Sequence, residues 1–495
     1  MHRPDHARVS LCMIVRDEEA HLEACLAPVA RLFDEIVIVD TGSRDRTPKI
    51  ARQFTSRVFD FPWCDDFAAA RNAAMQKAQC PWVFWLDADD RLDAENQQRL
   101  AELLAELGPP RVYLMDTVCL MSQAQEMPRW VTHRRLFPRD PRLAWKGRVH
   151  EQLRPDAREL GWDEAFSDVQ IQHLGYQQPA LRLKKLRRKL RLLHMDYAVR
   201  PDDPSTLLHL AMGYLNAATM AQSRQYFQRL CEVSPADAPH MRRAYLGLAD
   251  LALHEGKLVE ALSWVERGLQ YFPGDEHLLL AAAMAYFNAE AWEPAKAALL
   301  AILHTQAPRR MLYGECRQVR EQVAPRMLAA ILRVQGALPQ AQQVLCDLVR
   351  CFPDDLAAWY NLGLVFLDAR APASLEGVCE RLETCGGQIE AELLRVLWQM
   401  RHGDLAAAGP RIDQLVAQAP DLPIPRMLRA EWLSRMRAPL AEQARALRDV
   451  LRVQPGNGEA RQYLARISAL LPQAALPQSA SFSAQPVPAI DAALL

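Results

Sequence analysis

Over the first 175 or so residues, two patterns of apolar positions alternate. Short β-branched runs suit buried strands, and runs with apolar residues three and four apart suit helices. The strand set is Arg8–Val15 (RVSLCMIV), Glu35–Asp40 (EIVIVD), Val58–Phe61, Trp82–Leu86 (WVFWL) and Val112–Leu120. Helices are expected over Glu18–Phe33, Thr47–Phe54, Phe67–Ala78 and Glu95–Leu107. Strand and helix in strict alternation predict an α/β domain on a mostly parallel sheet, with ligands bound beyond the carboxyl ends of the strands. The polar clusters fall at those ends: Asp17-Glu18-Glu19, Asp40 through Asp45, and Asp87-Ala88-Asp89.

After residue 178 the pattern is helical throughout. Residues 179–201 form an amphipathic segment with seven basic and no acidic residues between Leu181 and Leu193. It suits a solvated linker helix, or a basic surface beside an anionic donor, acceptor or lipid. From 202 to 471 a small residue recurs four positions before a large one, with proline following: Ser223/Phe227/Pro235, Ala261/Val265/Pro273, Ala295/Leu299/Pro308 and Ala341/Leu345/Pro353. Together with Trp359-x-x-Leu362-Gly363-x-x-Phe366, this predicts five to seven tetratricopeptide-like repeats in an all-α solenoid, with a period near ~34 residues. Gly458 to Leu471 is the last expected helix. The Ala/Pro/Ser-rich tail 472–495 is expected to be disordered.

The chain's 495 residues exceed one compact domain, and 50% hydrophobic content supports a well-packed protein. A net charge of −1 removes any global argument for a nucleic-acid partner. The eleven cysteines are dispersed without metal spacing, which fits buried thiols in a reducing compartment. No apolar leader stands at the start, and the longest apolar run is too short for an integral membrane segment. The expectation is a cytoplasmic protein.

Two carboxylates one residue apart at a strand end, Asp87 and Asp89, can share a hard divalent ion such as Mn²⁺ or Mg²⁺. Solvated turns also produce Asp-x-Asp, but here it follows the buried run WVFWL. After the second strand, Asp40 can accept hydrogen bonds from a base or ribose, Gly42 permits a tight turn, and Ser43 or Asp45 can cap the next helix. An ordinary well-capped strand-to-helix turn has the same features. The acids after Val15 could likewise cap a helix.

The ordered set MIVRDEE, EIVIVDTGSRDRT, DDFAAARNAAM and WVFWLDADD resembles glycosyltransferase family 2, with its GT-A fold. It is similar especially to members that carry tetratricopeptide repeats behind the catalytic domain, as the sublancin-type peptide S-glycosyltransferases do. The resemblance spans residues 8–175 by motif, with the GT-A domain over 1–178. It implies a nucleotide-sugar pocket lined by Val15, Asp17, Glu19, Asp40, Gly42, Ser43, Arg71, Asn72, Asp87 and Ala88. Arg134, Arg135 and Lys146 could pair the diphosphate. It further implies a divalent ion on Asp89, completed by His150 or His173. Glu151 is then the base that deprotonates the acceptor, with Asp90 next in line. The activity implied is metal-dependent inverting transfer of a sugar, from a UDP-sugar or related donor, to a peptide, protein or glycan. The repeats would bind that acceptor or a second copy of the chain. A scaffold carrying a degenerate transferase domain is the alternative, disfavoured by the intact acids. A nucleotidyltransferase would carry a glycine-rich loop at the first strand, which MIVRDEE lacks.

Overall fold

The computed structural model describes residues 8–121, 129–176, 179–304, 318–454 and 457–470. The tail 472–495 lies outside the described residues. The chain divides into two compact units, one containing residues up to Ala289 and the other formed by Glu290–His304 and the chain from Arg320 onward.

The first unit opens with an eight-stranded mixed sheet in the order β3-β2-β1-β4-β7-β6-β10-β5. Four parallel neighbours, β3 (Val58–Asp60), β2 (Glu35–Asp40), β1 (Val9–Val15) and β4 (Trp82–Trp85), make the half that the alternating pattern predicts. The sheet is not mostly parallel beyond β4. There β7 (Arg129–Pro138) runs antiparallel to both β4 and β6 (Arg111–Met121). β10 (Asp163–Tyr176) returns parallel to β6, and the two-residue β5 (Asp90–Arg91) closes the edge antiparallel to β10. A separate ribbon pairs β8 (Ala144–Lys146) with β9 (Gln152–Arg154).

The expected helix over Glu18–Phe33 is in fact a short α1 (Leu22–Leu26) and a single 3₁₀ turn (Ala30–Leu32). Its apolar residues Leu22, Leu26, Val29 and Leu32 are nevertheless buried, packed with Leu11, Met13, Phe84 and Leu86. Burial follows the apolar spacing even where the backbone ladder breaks. α2 (Thr47–Phe54) lies as expected. α3 (Phe67–Lys77) is capped by Asp66, which accepts from the Ala69 amide at 2.8 Å, and α4 (Ala94–Ala105) by Asp93 in the same way.

The basic segment forms α5 (Pro179–Val199), followed by the hairpins α6 (Pro204–Asn216) with α7 (Met220–Val233) and α8 (Met241–His254) with α9 (Leu258–Tyr271), and then by α10 (Glu276–Asn288). The small-then-large signature marks the packed seam. Ser223, Phe227, Ala261 and Val265 are all buried, and the Ser223 hydroxyl donates to the Ala211 carbonyl at 2.9 Å. The second unit continues with α11 (Trp292–His304) and helical hairpins from Ala324–Val334 to Gly458–Leu470, where Ala295, Leu299, Ala341 and Leu345 are equally buried. This is the tetratricopeptide-like all-α architecture. Among the described residues no helix is long and apolar enough to cross a membrane.

Candidate functional site

The carboxyl ends of β1, β2 and β4 lie side by side, with Val15 in register with Asp40. Beyond β4 the chain turns tightly: the Asp90 amide donates to the Asp87 carbonyl at 3.0 Å, and the Asp90 carboxylate accepts from the Asp87 amide at 2.9 Å. β5 then pairs with β10, setting Asp90 opposite His173, while the Leu174 amide donates to the Asp89 carbonyl at 3.0 Å. One backbone turn and one strand pairing therefore bring Asp87, Asp89, Asp90 and His173 together, with a possible ligand atom of each within 4.8 Å of the others.

These four do not have equal roles. Asp90 is fully buried; it pairs with Arg135 Nη1 at 2.8 Å and with His173 Nδ1 at 2.9 Å. Burial opposes its charge, but Arg135 and His173 outweigh burial and hold the carboxyl well below the usual carboxylate range. A carboxylate on Nδ1 orients the ring and sharpens Nε2 as a donor. A Cβ placed on Gly175 would lie 2.6 Å from His173 Nε2 and 2.5 Å from Asp89 Oδ2, so both atoms converge on the space a glycine leaves open. Hard oxygens and an oriented imidazole around such a cradle fit a Mn²⁺- or Mg²⁺-type ion. The Lys185 ammonium, from α5, sits 3.6 Å from Asp89 and donates to the Gly175 carbonyl. The basic helix thus reaches the acidic cluster.

Arg71 links this cluster to the second half of the site. Its Nη2 lies 2.9 Å from Asp87 and its Nε 2.6 Å from Glu151. Its guanidinium packs on the rings of Trp85 (4.1 Å) and Trp145 (5.4 Å). Burial works against its charge, and Asp87 and Glu151 overcome that and raise its pKa. Glu151 itself is largely buried beside it.

Several residues expected in the pocket are placed otherwise. Asp17 and Glu19 do not turn to the cluster: their carboxylates accept from the amides of Arg44 and Arg46 at 2.7 and 3.0 Å, pinning the loop after β2. Glu18, between them, was the residue missed. The left-handed turn at Asp17, φ +54, turns it the other way, close to Asp89, Lys185 and Asp87, and burial first, then those acids, push its carboxyl up to about 7. Ser43 donates to Asp40 at 2.6 Å through its hydroxyl, and Gly42 turns through φ +97 between them. Val15 and Ala88 bury their side chains in the core. Asn72 braces the backbone of Trp145 with both ends of its amide rather than lying over a donor. Arg135 is no diphosphate partner: it is only 1% exposed, bonded to Asp90 and Thr117 and stacked on Trp85 at 3.8 Å. Arg134 pairs with Glu164 and Asp156. His150 is not among the metal-cluster residues; its ring stacks on His209.

Known proteins resemble parts of the chain. Residues 10–139 match the model of "Glycosyl transferase family 2". A TPR repeat-containing protein of Synechococcus elongatus is 32% identical over 53% of this chain and 66% of its own length. The prophage-derived glycosyltransferase SunS of Bacillus subtilis is 26% identical over 41% of this chain and 49% of its own. A tetratricopeptide repeat protein from Parabacteroides merdae aligns at a TM-score of 0.43 and 12% identity, over 54% of this chain and 98% of that one. The chain thus spans about two thirds or less of the curated relatives it matches. With the motif-bearing strand ends, the Asp-x-Asp turn and the helical hairpins all in place, residues 10–139 match the glycosyltransferase family 2 model, and a tetratricopeptide-like array follows them.

Proposed function

We propose that the protein is a metal-dependent inverting glycosyltransferase that moves a sugar from a nucleoside diphosphate sugar, preferably a UDP-sugar, to a peptide, protein or glycan. The observation that carries this reading is the Asp87–Arg71–Glu151 chain, which joins a cation-type cluster to a carboxylate on a separate ribbon. Asp89 and His173, with Asp87 beside them, are the residues that would hold Mn²⁺ or Mg²⁺; bound there, the ion would neutralise charge on the departing diphosphate. Asp40, presented at the end of β2 by Ser43, would accept from the base or ribose. Arg71, 2.6 Å from its carboxylate, holds Glu151 in place. Glu151 then accepts the proton of the acceptor nucleophile as it attacks the anomeric carbon and the bond to the diphosphate breaks. The tetratricopeptide-like hairpins would bind the acceptor chain or a second copy of the protein.

The test is turnover of a panel of nucleotide sugars with Mn²⁺ or Mg²⁺, in the wild type and in Glu151→Gln. Metal-dependent turnover of at least one donor is expected. Glu151→Gln should retain donor affinity within a few fold and lose 10²-fold or more in rate, the usual scale of a general base. Absence of binding or turnover with every donor would remove the enzymatic reading.

A further inference from the structure

The loop that carries Glu151 is residues 147–151, between β8 and β9. It turns through two left-handed residues, Gly147 at φ +94 and His150 at φ +55. His150 has a Cβ, and such a residue holds this conformation only when its surroundings impose it. Three neighbours do so. The Asp196 carboxylate, on α5, accepts from the Arg148 amide at 3.0 Å and pairs with the Arg148 side chain at 3.3 Å. The Phe67 amide, at the start of α3, donates to the Arg148 carbonyl at 2.9 Å. The His150 ring lies flat on the His209 ring of α6, with centroids 3.9 Å apart and planes 16° from parallel.

His209 is itself fixed. Its Nδ1 lies 2.7 Å from the Ser205 carbonyl one turn earlier, so that nitrogen carries the proton and donates. Burial, followed by the nearby Lys189 ammonium, depresses the His209 pKa to about 4; burial and the charges of His209 and Lys189 put that of His150 well below its ordinary value. Both rings are therefore neutral near pH 7, and nothing electrostatic pushes the stack apart. α5 is anchored at both ends of the site: Lys185 reaches the acidic cluster, and Asp196, eleven residues on and about 16 Å along the helix axis, holds the Glu151 loop.

We infer that His209, a residue of the first helical hairpin, is a positioning residue for Glu151: its ring seats His150 and so fixes the base-bearing loop against the Arg71–Asp87 end of the cluster. This rests on Glu151 being the base. It makes the first hairpin a working part of the active site rather than an appended binding module. The neighbouring small-residue seam explains the packing of α6 on α7 but gives no reason for a histidine on the face that meets His150.

The experiment uses the full-length protein with His209→Ala, His209→Phe and Glu151→Gln. Hydrogen exchange is followed over 147–151, and turnover of UDP-glucose and UDP-N-acetylglucosamine is measured with Mn²⁺. His209→Ala should accelerate exchange of the Arg148–Glu151 amides and lower kcat at least tenfold, with donor KM within twofold. His209→Phe, which keeps a ring on His150, should restore both. Glu151→Gln should lose kcat with exchange unchanged. Unchanged exchange in His209→Ala overturns the inference. So does a loosened loop whose kcat is retained while Glu151→Gln is inactive. A wild-type rate in Glu151→Gln overturns the assignment of the base itself, which the exchange data do not touch.

Discussion

Replacing Arg135 by leucine separates two readings of one residue. A diphosphate ligand could be lost with little effect on folding. The buried Arg135 has a different cost. Its removal takes away a 2.8 Å ion pair to a fully buried Asp90, a 3.0 Å hydrogen bond to Thr117 and a stack on Trp85. It leaves the Asp90 carboxylate inside the protein, with only His173 and the Asp87 amide to offset its charge. Breaking a buried pair by deleting one partner costs about 3–5 kcal/mol, most of it the desolvation of the charge left behind. In a unit of this size that is a fall on the order of 10 °C in melting temperature. The pH dependence supplies the signature. In the wild type the depressed Asp90 pKa means stability is present above the unfolded carboxylate pKa and is lost only as pH falls through the folded value. Without Arg135, burial raises the Asp90 pKa above its unfolded value, so the variant recovers stability on acidification. Thermal melts of both proteins from pH 7.5 to 5 should show the gap narrowing toward low pH. A variant within about 1 kcal/mol of wild type at pH 7, with donor affinity reduced tenfold or more, would refute the structural role and return Arg135 to the diphosphate.

Asp89→Ala should abolish Mn²⁺ dependence and turnover while leaving the melting temperature nearly unchanged; a metal titration followed by calorimetry checks it, and undiminished metal dependence would exclude Asp89 as a ligand. Gly175→Ala adds a methyl group 2.5–2.9 Å from Asp89, His173 and Lys185, and should weaken Mn²⁺ binding tenfold or more in the same titration. His209 has a folded pKa of about 4, below its ordinary value, so its neutral form is the one that folds. The unfolded chain then binds the extra proton, and stability falls as pH drops from about 6.5 toward 4, with a slope approaching about 1.4 kcal/mol per pH unit. The measurement is the difference between wild type and His209→Phe. That subtraction cancels Glu18, whose raised pKa acts in the opposite sense over the same range.

Much of the site was legible because it lies on contiguous patterns. The run WVFWL had to be a buried strand, so the acids after it had to emerge at a sheet end. Asp40 closed a second such strand, and the small-then-large spacing marked the helical seam. β7 and β10 were not marked as strands, because their alternation is interrupted by charges such as Arg134, Arg135 and Glu164 that find partners only across the sheet. Asp17 and Glu19 looked like the pocket acids, yet the strained turn at Asp17, φ +54, sends them to the amides of the next loop and leaves Glu18 facing the cluster.

By itself, then, the sequence determined which segments are buried, where the acidic turn falls and that helical hairpins follow, since burial depends on spacing along the chain. Only the tertiary structure decided which charges meet. Arg135 went behind the cluster, His173 came to it from a strand over eighty residues away, and His150 left it for His209. Charge pairing in a low-dielectric interior is decided by distance through space and by what water is excluded, and neither is a function of sequence separation.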